Sequence, residues 1–156
     1  MFDRILVCLD GSKLAEQILP YAIEQALRFN SKLTLLQVVT TPSSVYMASA
    51  AGELPQTGDI IAKDIQKQDA EARAYLDGVA QSLQEKGIET ECVVLGPSQP
   101  GNTIVKYAQD NAIDLICMAT HGRSGLGRVV FGCVADRVLR ESGLPILLIK
   151  PKEIKT

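Results

Sequence analysis

The chain has a single histidine, His121, no Cys-x-x-Cys pair, no excess of basic residues and no apolar run approaching the length of a membrane span. Each absence removes a class of function. Lys and Arg total 16 against 18 Asp and Glu, a net charge of −2. Binding to nucleic acid or to an acidic membrane surface needs a concentrated excess of positive charge, and the basic residues here are scattered. A span needs about 20 consecutive apolar residues, and no charged-then-apolar leader precedes the first strand. A cytoplasmic location is therefore expected, with neither membrane nor nucleic acid as partner. Cys8, Cys92 and Cys117 fall inside apolar strand-like runs and Cys133 at a helix start, so reduced, unpaired thiols are expected. Two glycine signatures are also missing. There is no Gly-Lys-Ser or Gly-Lys-Thr P-loop, and residues 9–14, Leu-Asp-Gly-Ser-Lys-Leu, lack the dinucleotide fingerprint that would follow a first strand. His121 has no Asp or Ser partner at an informative spacing, and the sequence places no pair of carboxylates for acid–base work. No catalytic residue and no metal ligand are assigned.

What is present is a chain of 156 residues, 46% apolar, enough for one domain with a real core and too short for two; the expectation is one domain over 1–156. Strands are read at Arg4 to Leu9, Lys32 to Val39, Glu89 to Leu95, Asp114 to Ala119 and Pro145 to Ile149, nearly continuous apolar runs of the kind covered on both faces of a parallel sheet. A helix is expected from Ser12 to Asn30, with Leu14, Ile18, Ala22 and Leu27 on its apolar face and Pro20 kinking or breaking it. A long Ser/Thr/Ala/Pro/Gly-rich loop, Thr40 to Asp59, reads as a mobile connector or a lid. A second helix follows from about Ile60 to Lys86, with a stripe of Ile61, Ile65, Ala72, Leu76, Val79 and Leu83 and an Asp69–Arg73 ion pair. Helices at Asn102 to Asn111 and Cys133 to Ser142 complete the alternation. The fold class is α/β, a doubly wound sheet of five mostly parallel strands with about four helices and right-handed crossovers.

Residues 113–135 carry the most chemistry: an apolar strand ending at Met118-Ala119, a basic loop containing Gly122, Arg123, Gly125, Gly127 and Arg128, then Gly132-Cys133-Val134-Ala135 opening a helix. Free N–H groups and the dipole at a helix start can hold an anion without a catalytic side chain. Asp10, at the end of the first strand, is a carboxylate that a ribose or base would satisfy, or that caps the turn through Gly11 and Ser12. Arg123 and Arg128 read equally as phosphate partners or as solvated loop residues. Gly125 and Gly127 read as conformational. A thiol at a helix start is also a candidate redox-sensing group, although no resolving cysteine is evident for Cys133.

This stretch resembles the nucleotide-binding loop of the universal stress protein (UspA) family, whose pattern is Gly, two residues, Gly, nine residues, then Gly-Ser or Gly-Thr. The spacing is kept here through Ala119, Gly122 and Gly132-Cys133. Two identities differ: Ala119 replaces a glycine and Cys133 a hydroxyl. The likeness extends over the whole chain, through the opening Ile-Leu-Val-Cys-Leu-Asp-Gly-Ser, the Leu-Leu-Gln-Val of the second strand and the closing Leu-Pro-Ile-Leu-Leu-Ile-Lys. It implies the adenine nucleotide alpha hydrolase-like fold and a site of Leu9, Asp10, Val38, Met118, Ala119, Gly122, Arg123, Gly132, Cys133, Val134 and Ala135. In that likeness Asp10 and Val38 contact the nucleoside, Met118, Ala119 and Gly122 line its ribose side, and residues 132–135 present backbone N–H groups to phosphates. The implied cofactor is ATP or another adenine nucleotide, with or without Mg2+. The implied partners are an adenine nucleotide, a second copy joined through the C-terminal strand, and an unidentified protein. The expected role is a nucleotide-binding regulatory or stress-response module. The alternatives are a stress-associated dimeric scaffold that no longer binds nucleotide, and a slow ATPase at the same loop.

Overall fold

The computed structural model describes residues 1–41, 50, 52, 54–120 and 132–154. Five strands, β1 (Arg4–Cys8), β2 (Lys32–Val38), β3 (Thr90–Leu95), β4 (Leu115–Ala119) and β5 (Ile146–Ile149), form one sheet in the order β3-β2-β1-β4-β5. All four pairings are parallel. The helices are α1 (Leu19–Phe29), α2 (Leu54–Glu85), α3 (Pro100–Asp110) and α4 (Cys133–Glu141).

The side-chain alternation of the strands builds a core on each face. Ile5, Val7, Leu9, Leu33, Leu35, Val39, Leu115 and Cys117 pack against Ala22 and Ala26 of α1 and Ala72, Leu76, Ala80 and Leu83 of α2. Leu6, Leu36, Ile116 and Met118 pack against Ile104, Val105 and Ala108 of α3 and Ala135 and Val138 of α4. With helices on both faces, each strand can be apolar throughout, which is why the strands stand out in the sequence.

Two expectations about helices are corrected. The helix expected from Ser12 is split: residues Ala15–Ile18 form a tight 3-10 turn, and α1 begins at Leu19 with Pro20 in its first turn, where a missing N–H costs nothing. Ile18, Ala22 and Ala26 are buried, while Leu27, five residues after Ala22 and so about 140° round the helix from it, faces solvent at 58% exposure. The second correction concerns the long loop. Residues 54–59 belong to α2, again with a proline, Pro55, at the helix start, while residues 42–49, 51 and 53 lie outside the described residues. Along α2 the expected stripe is buried at Ala72, Leu76 and Leu83 and half-buried at Ile61, Ile65 and Val79, and Arg73 Nε bonds Asp69 Oδ2 at 2.7 Å. The helix stops as expected at Gly87, whose φ of +82° lets its N–H and that of Ile88 fold back onto the carbonyls of Gln84 and Leu83.

Candidate functional site

β1 and β4 are neighbours, and β1 is also where the strand order reverses: β1 continues through β2 to β3 on one side, and β4 to β5 on the other. α1 packs on one face of the sheet and α4 on the opposite face, the arrangement at which open α/β sheets commonly form ligand crevices. Asp10 follows β1 and Thr120 follows β4, so the two polar strand ends singled out in the sequence lie at the carboxyl edge of adjacent parallel strands.

On the α1/α2 side, Asp10, Gly11, Gln37, Val38, Val39 and Thr40 face Gln68, Glu71, Ala72 and Tyr75 of α2 across a cavity of about 440 Å³. Asp10 takes the second of its two expected roles, the turn cap. Its Oδ1 accepts the Ser12 N–H at 2.9 Å, shaping the turn at Gly11 (φ +84°), and the residue lines the cavity. Ser12 Oγ then accepts the Ala15 N–H at 3.1 Å and starts the 3-10 turn. The Tyr75 hydroxyl donates to Glu16 Oε1 at 2.8 Å, and Glu16 in turn pairs with Lys13 at 3.1 Å. Burial, then the Glu16 hydrogen bond and charge, then Asp10, push the Tyr75 phenol above its ordinary range, so it remains a neutral donor. Among the described lining residues two are carboxylates and none is Lys or Arg.

Gln37 was not selected from the sequence, nor were Gln68, Glu71 or Tyr75. Only Gln37 left a signal: Leu33, Leu35 and Val39 point into the α1/α2 core, and Gln37 interrupts that apolar series at the strand's carboxyl end. Its Oε1 is buried without a hydrogen-bond partner.

Of the residues the family likeness implied, Leu9, Met118 and Ala135 have their side chains in the core, leaving only main chain to offer a ligand. The Leu9 N–H is already bonded to Leu36 O at 2.9 Å. Val38 borders the cavity while its side chain packs on the α3/α4 layer. Ala119 ends β4, half-buried and in register with Ile149. The non-glycine residues with positive φ are Asn30 and Ala112 among those described, so Ala119 needs no glycine-like torsion. Gly122 and Arg123, with His121, Gly125, Gly127 and Arg128, lie outside the described residues.

Gly132 is the N-cap of α4, with φ −58° and ψ 163°, and among the described residues no side chain caps this helix start. The first-turn N–H groups of a helix have no partner within it. Cys133 is exposed, Val134 half-buried and Ala135 buried, which anchors the turn on the core. Asp136 also sits in this first turn, where its Oδ1 accepts from Arg140 Nε at 3.0 Å. All four cysteines are free; burial raises Cys8 and Cys117 to about 12, and burial with Asp77 raises Cys92 to about 11. No three His, Cys, Asp or Glu side chains gather to hold a metal among the described residues, and no described helix is long and apolar enough to cross a membrane.

A five-stranded, all-parallel doubly wound sheet with helices on both faces defines the α/β class of proteins. The model of the "Universal stress protein family" matches residues 1–150, and the chain belongs to that family. Universal stress protein MJ0531 of Methanocaldococcus jannaschii is 30% identical over 156 residues, covering 98% of this chain and 85% of that one. Among solved structures, the hypothetical protein MJ0577 superposes with a TM-score of 0.74 at 22% identity, covering 99% of each chain. A universal stress protein family protein from Arabidopsis thaliana, solved with AMP bound, superposes with a TM-score of 0.66 at 15% identity over 96% of this chain and 92% of that one.

Proposed function

We propose that this chain is an adenine-nucleotide-binding regulatory module of the stress response, acting as a homodimer. The reading is supported by the Asp10-lined cavity at the end of β1 and by the amide turn at Gly132–Ala135, which follows β4, the strand paired beside β1. The first suits a neutral nucleoside rich in donors, the second an anion. The AMP-bound Arabidopsis relative supports adenine as the base. With ATP, Mg2+ accompanies the phosphates. Isothermal calorimetry with AMP and ATP, together with mass spectrometry of small molecules released on denaturation, tests the reading. Absence of both binding heat to millimolar concentration and copurified nucleotide leaves the dimeric scaffold in its place.

The dimer rests on β5. It closes one edge of the sheet with Ile146, Leu147, Leu148 and Ile149 all half-buried, and an apolar edge left open invites pairing. The carbonyls of Pro145 and Ile149 accept from β4, so by the two-residue repeat Ile146 and Leu148 turn their N–H groups outward. Leu148→Pro is therefore expected to leave the fold intact and to yield a monomer by light scattering. A dimer unaffected by this change places the interface elsewhere.

A further inference from the structure

We propose that Gln37 reads a hydrogen-bond donor of the bound nucleoside, its Oε1 accepting from either the amino group of the base or a ribose hydroxyl. The inference rests on the nucleotide reading above and adds to it a residue that the family pattern does not mark.

Three observations converge on this side chain. First, Gln37 occupies a place where the strand pattern calls for an apolar residue: Leu33 and Leu35 before it and Val39 after it are buried in the α1/α2 core. A polar group at such a position is costly unless something satisfies it. Second, nothing does. Gln37 Oε1 is the one buried side-chain polar atom without a partner among the described residues, and native proteins keep few such atoms without a reason. Third, the residue lines the 440 Å³ cavity, and Gly11 opposite it leaves room: a Cβ added there would stand 3.8 Å from Gln37 Nε2 and would be strained at φ +84°.

The surroundings select the kind of group that satisfies Gln37. Asp10 and Glu71 are carboxylates, Gln68 is an amide, and the Tyr75 hydroxyl is already donated to Glu16. This wall is rich in acceptors, so the portion of ligand it takes carries donors. An adenosine moiety has such donors in its 6-amino group and its 2′- and 3′-hydroxyls. A nucleoside donor placed against Oε1 satisfies this acceptor and removes its burial penalty on binding.

The test compares the native protein with Gln37→Leu and with Gln37→Met, which keeps the side-chain length, in titrations with AMP, purine riboside 5′-monophosphate (no 6-amino group), 2′-deoxy-AMP and 3′-deoxy-AMP. Both variants are expected to bind AMP about tenfold more weakly. One analogue, the one lacking the donor that Gln37 reads, is expected to bind native and variant proteins equally, and its identity separates base from ribose. Because the substitutions remove an unsatisfied acceptor, the ligand-free variants should melt no lower than the native protein. Unchanged AMP affinity in both variants, an equal loss for all four ligands, or a clear drop in ligand-free melting temperature in both overturns the proposal. Failure of the native protein to bind AMP removes the nucleotide reading and this inference with it. Native binding with unaltered variants removes Gln37 alone.

Discussion

Replacing Cys133 by serine restores the hydroxyl that the family pattern places at the start of α4, and its effect can be worked out from the structure. Cys133 is the first residue of α4, exposed, and preceded by Gly132, which has no side chain to reach the phosphate position. The turn is held in place by Ala135 and Val138 in the core and by the close approach of Arg137 to Gly101, where even an added Cβ would come within 2.9 Å. The exchange therefore changes one donor and little else, and folding stability should move by less than about 0.5 kcal/mol, as for surface changes generally. A hydroxyl bonded to a charged phosphate contributes about 1.5–3 kcal/mol, and a thiol is a much weaker donor. Cys133→Ser should thus tighten AMP or ATP binding by roughly tenfold to a hundredfold.

Calorimetry at fixed ionic strength measures this, because exposed charges are screened by salt. Adenosine, which lacks phosphate, is the control and should gain nothing. An equal gain for adenosine and AMP, or no gain for AMP where the native chain binds it, refutes the placement of the phosphate at Gly132–Ala135. Silence from both proteins to millimolar concentration favours the scaffold reading.

Asp136 puts a carboxylate in the same amide turn, only partly neutralised by Arg140, so Asp136→Asn should strengthen AMP binding a fewfold while lowering stability by about 0.3–1 kcal/mol through the helix dipole; calorimetry and thermal melts read the two opposed signs. Ala112, exposed between α3 and β4, is held at φ +52°, a left-handed torsion costing about 1–2 kcal/mol. Ala112→Gly should therefore raise the melting temperature by about 2–4 °C once the larger unfolded-state entropy of glycine is subtracted. Glu91 is held below the usual carboxylate range chiefly by its hydrogen bond with Lys32 (2.9 Å), aided by the Thr34 hydroxyl. A depressed folded-state value contributes stability above the unfolded value of about 4.3 and loses it as pH falls through the folded one. The stability difference between native and Glu91→Gln proteins should accordingly be constant above about pH 5.5 and shrink as pH drops below about 4; a difference that is flat across this range removes the linkage.

The sheet was legible because its strands are covered on both faces and so read as apolar runs, and their ends fall within a residue of expectation at β2 and β3. Helix starts were less legible. Pro20 and Pro55 look like breaks when read alone, yet each sits in the first turn of a helix, where proline is well tolerated. Leu27 was placed on the wrong face because it lies five residues after Ala22, whereas Ala26, four after it, is the buried one. At the ends of the elements, Asp10 and the Gly132 turn were legible because they end or begin regular structure. The α2 side of the cavity was not: Gln68 and Glu71 look like ordinary solvent-facing residues of a long amphipathic helix, and only the topology brings them opposite β1 and β2. Gln37 could have been found, since a polar residue breaking an apolar strand face at its carboxyl end is visible without coordinates.

The two departures from the family pattern carry unequal weight. At Ala119 the backbone has no positive φ and continues the β4–β5 register, so the absent glycine costs no torsional strain there. At Cys133 the change is chemical, one donor weakened at an exposed helix start, while the backbone amides are untouched. Affinity in the proposed site is thus tuned at the phosphate end and orientation is set by the crevice as a whole. A nucleotide is neutral at one end and anionic at the other, and the acceptor-rich wall of Asp10, Gln37 and Glu71 repels the charge that the amide turn of α4 attracts. Reversing the ligand would set phosphate against carboxylates with no described cation between them. The same two strand ends that place the site therefore admit one direction of binding, and any substitution that makes the Asp10 wall cationic should loosen that discrimination before it abolishes binding.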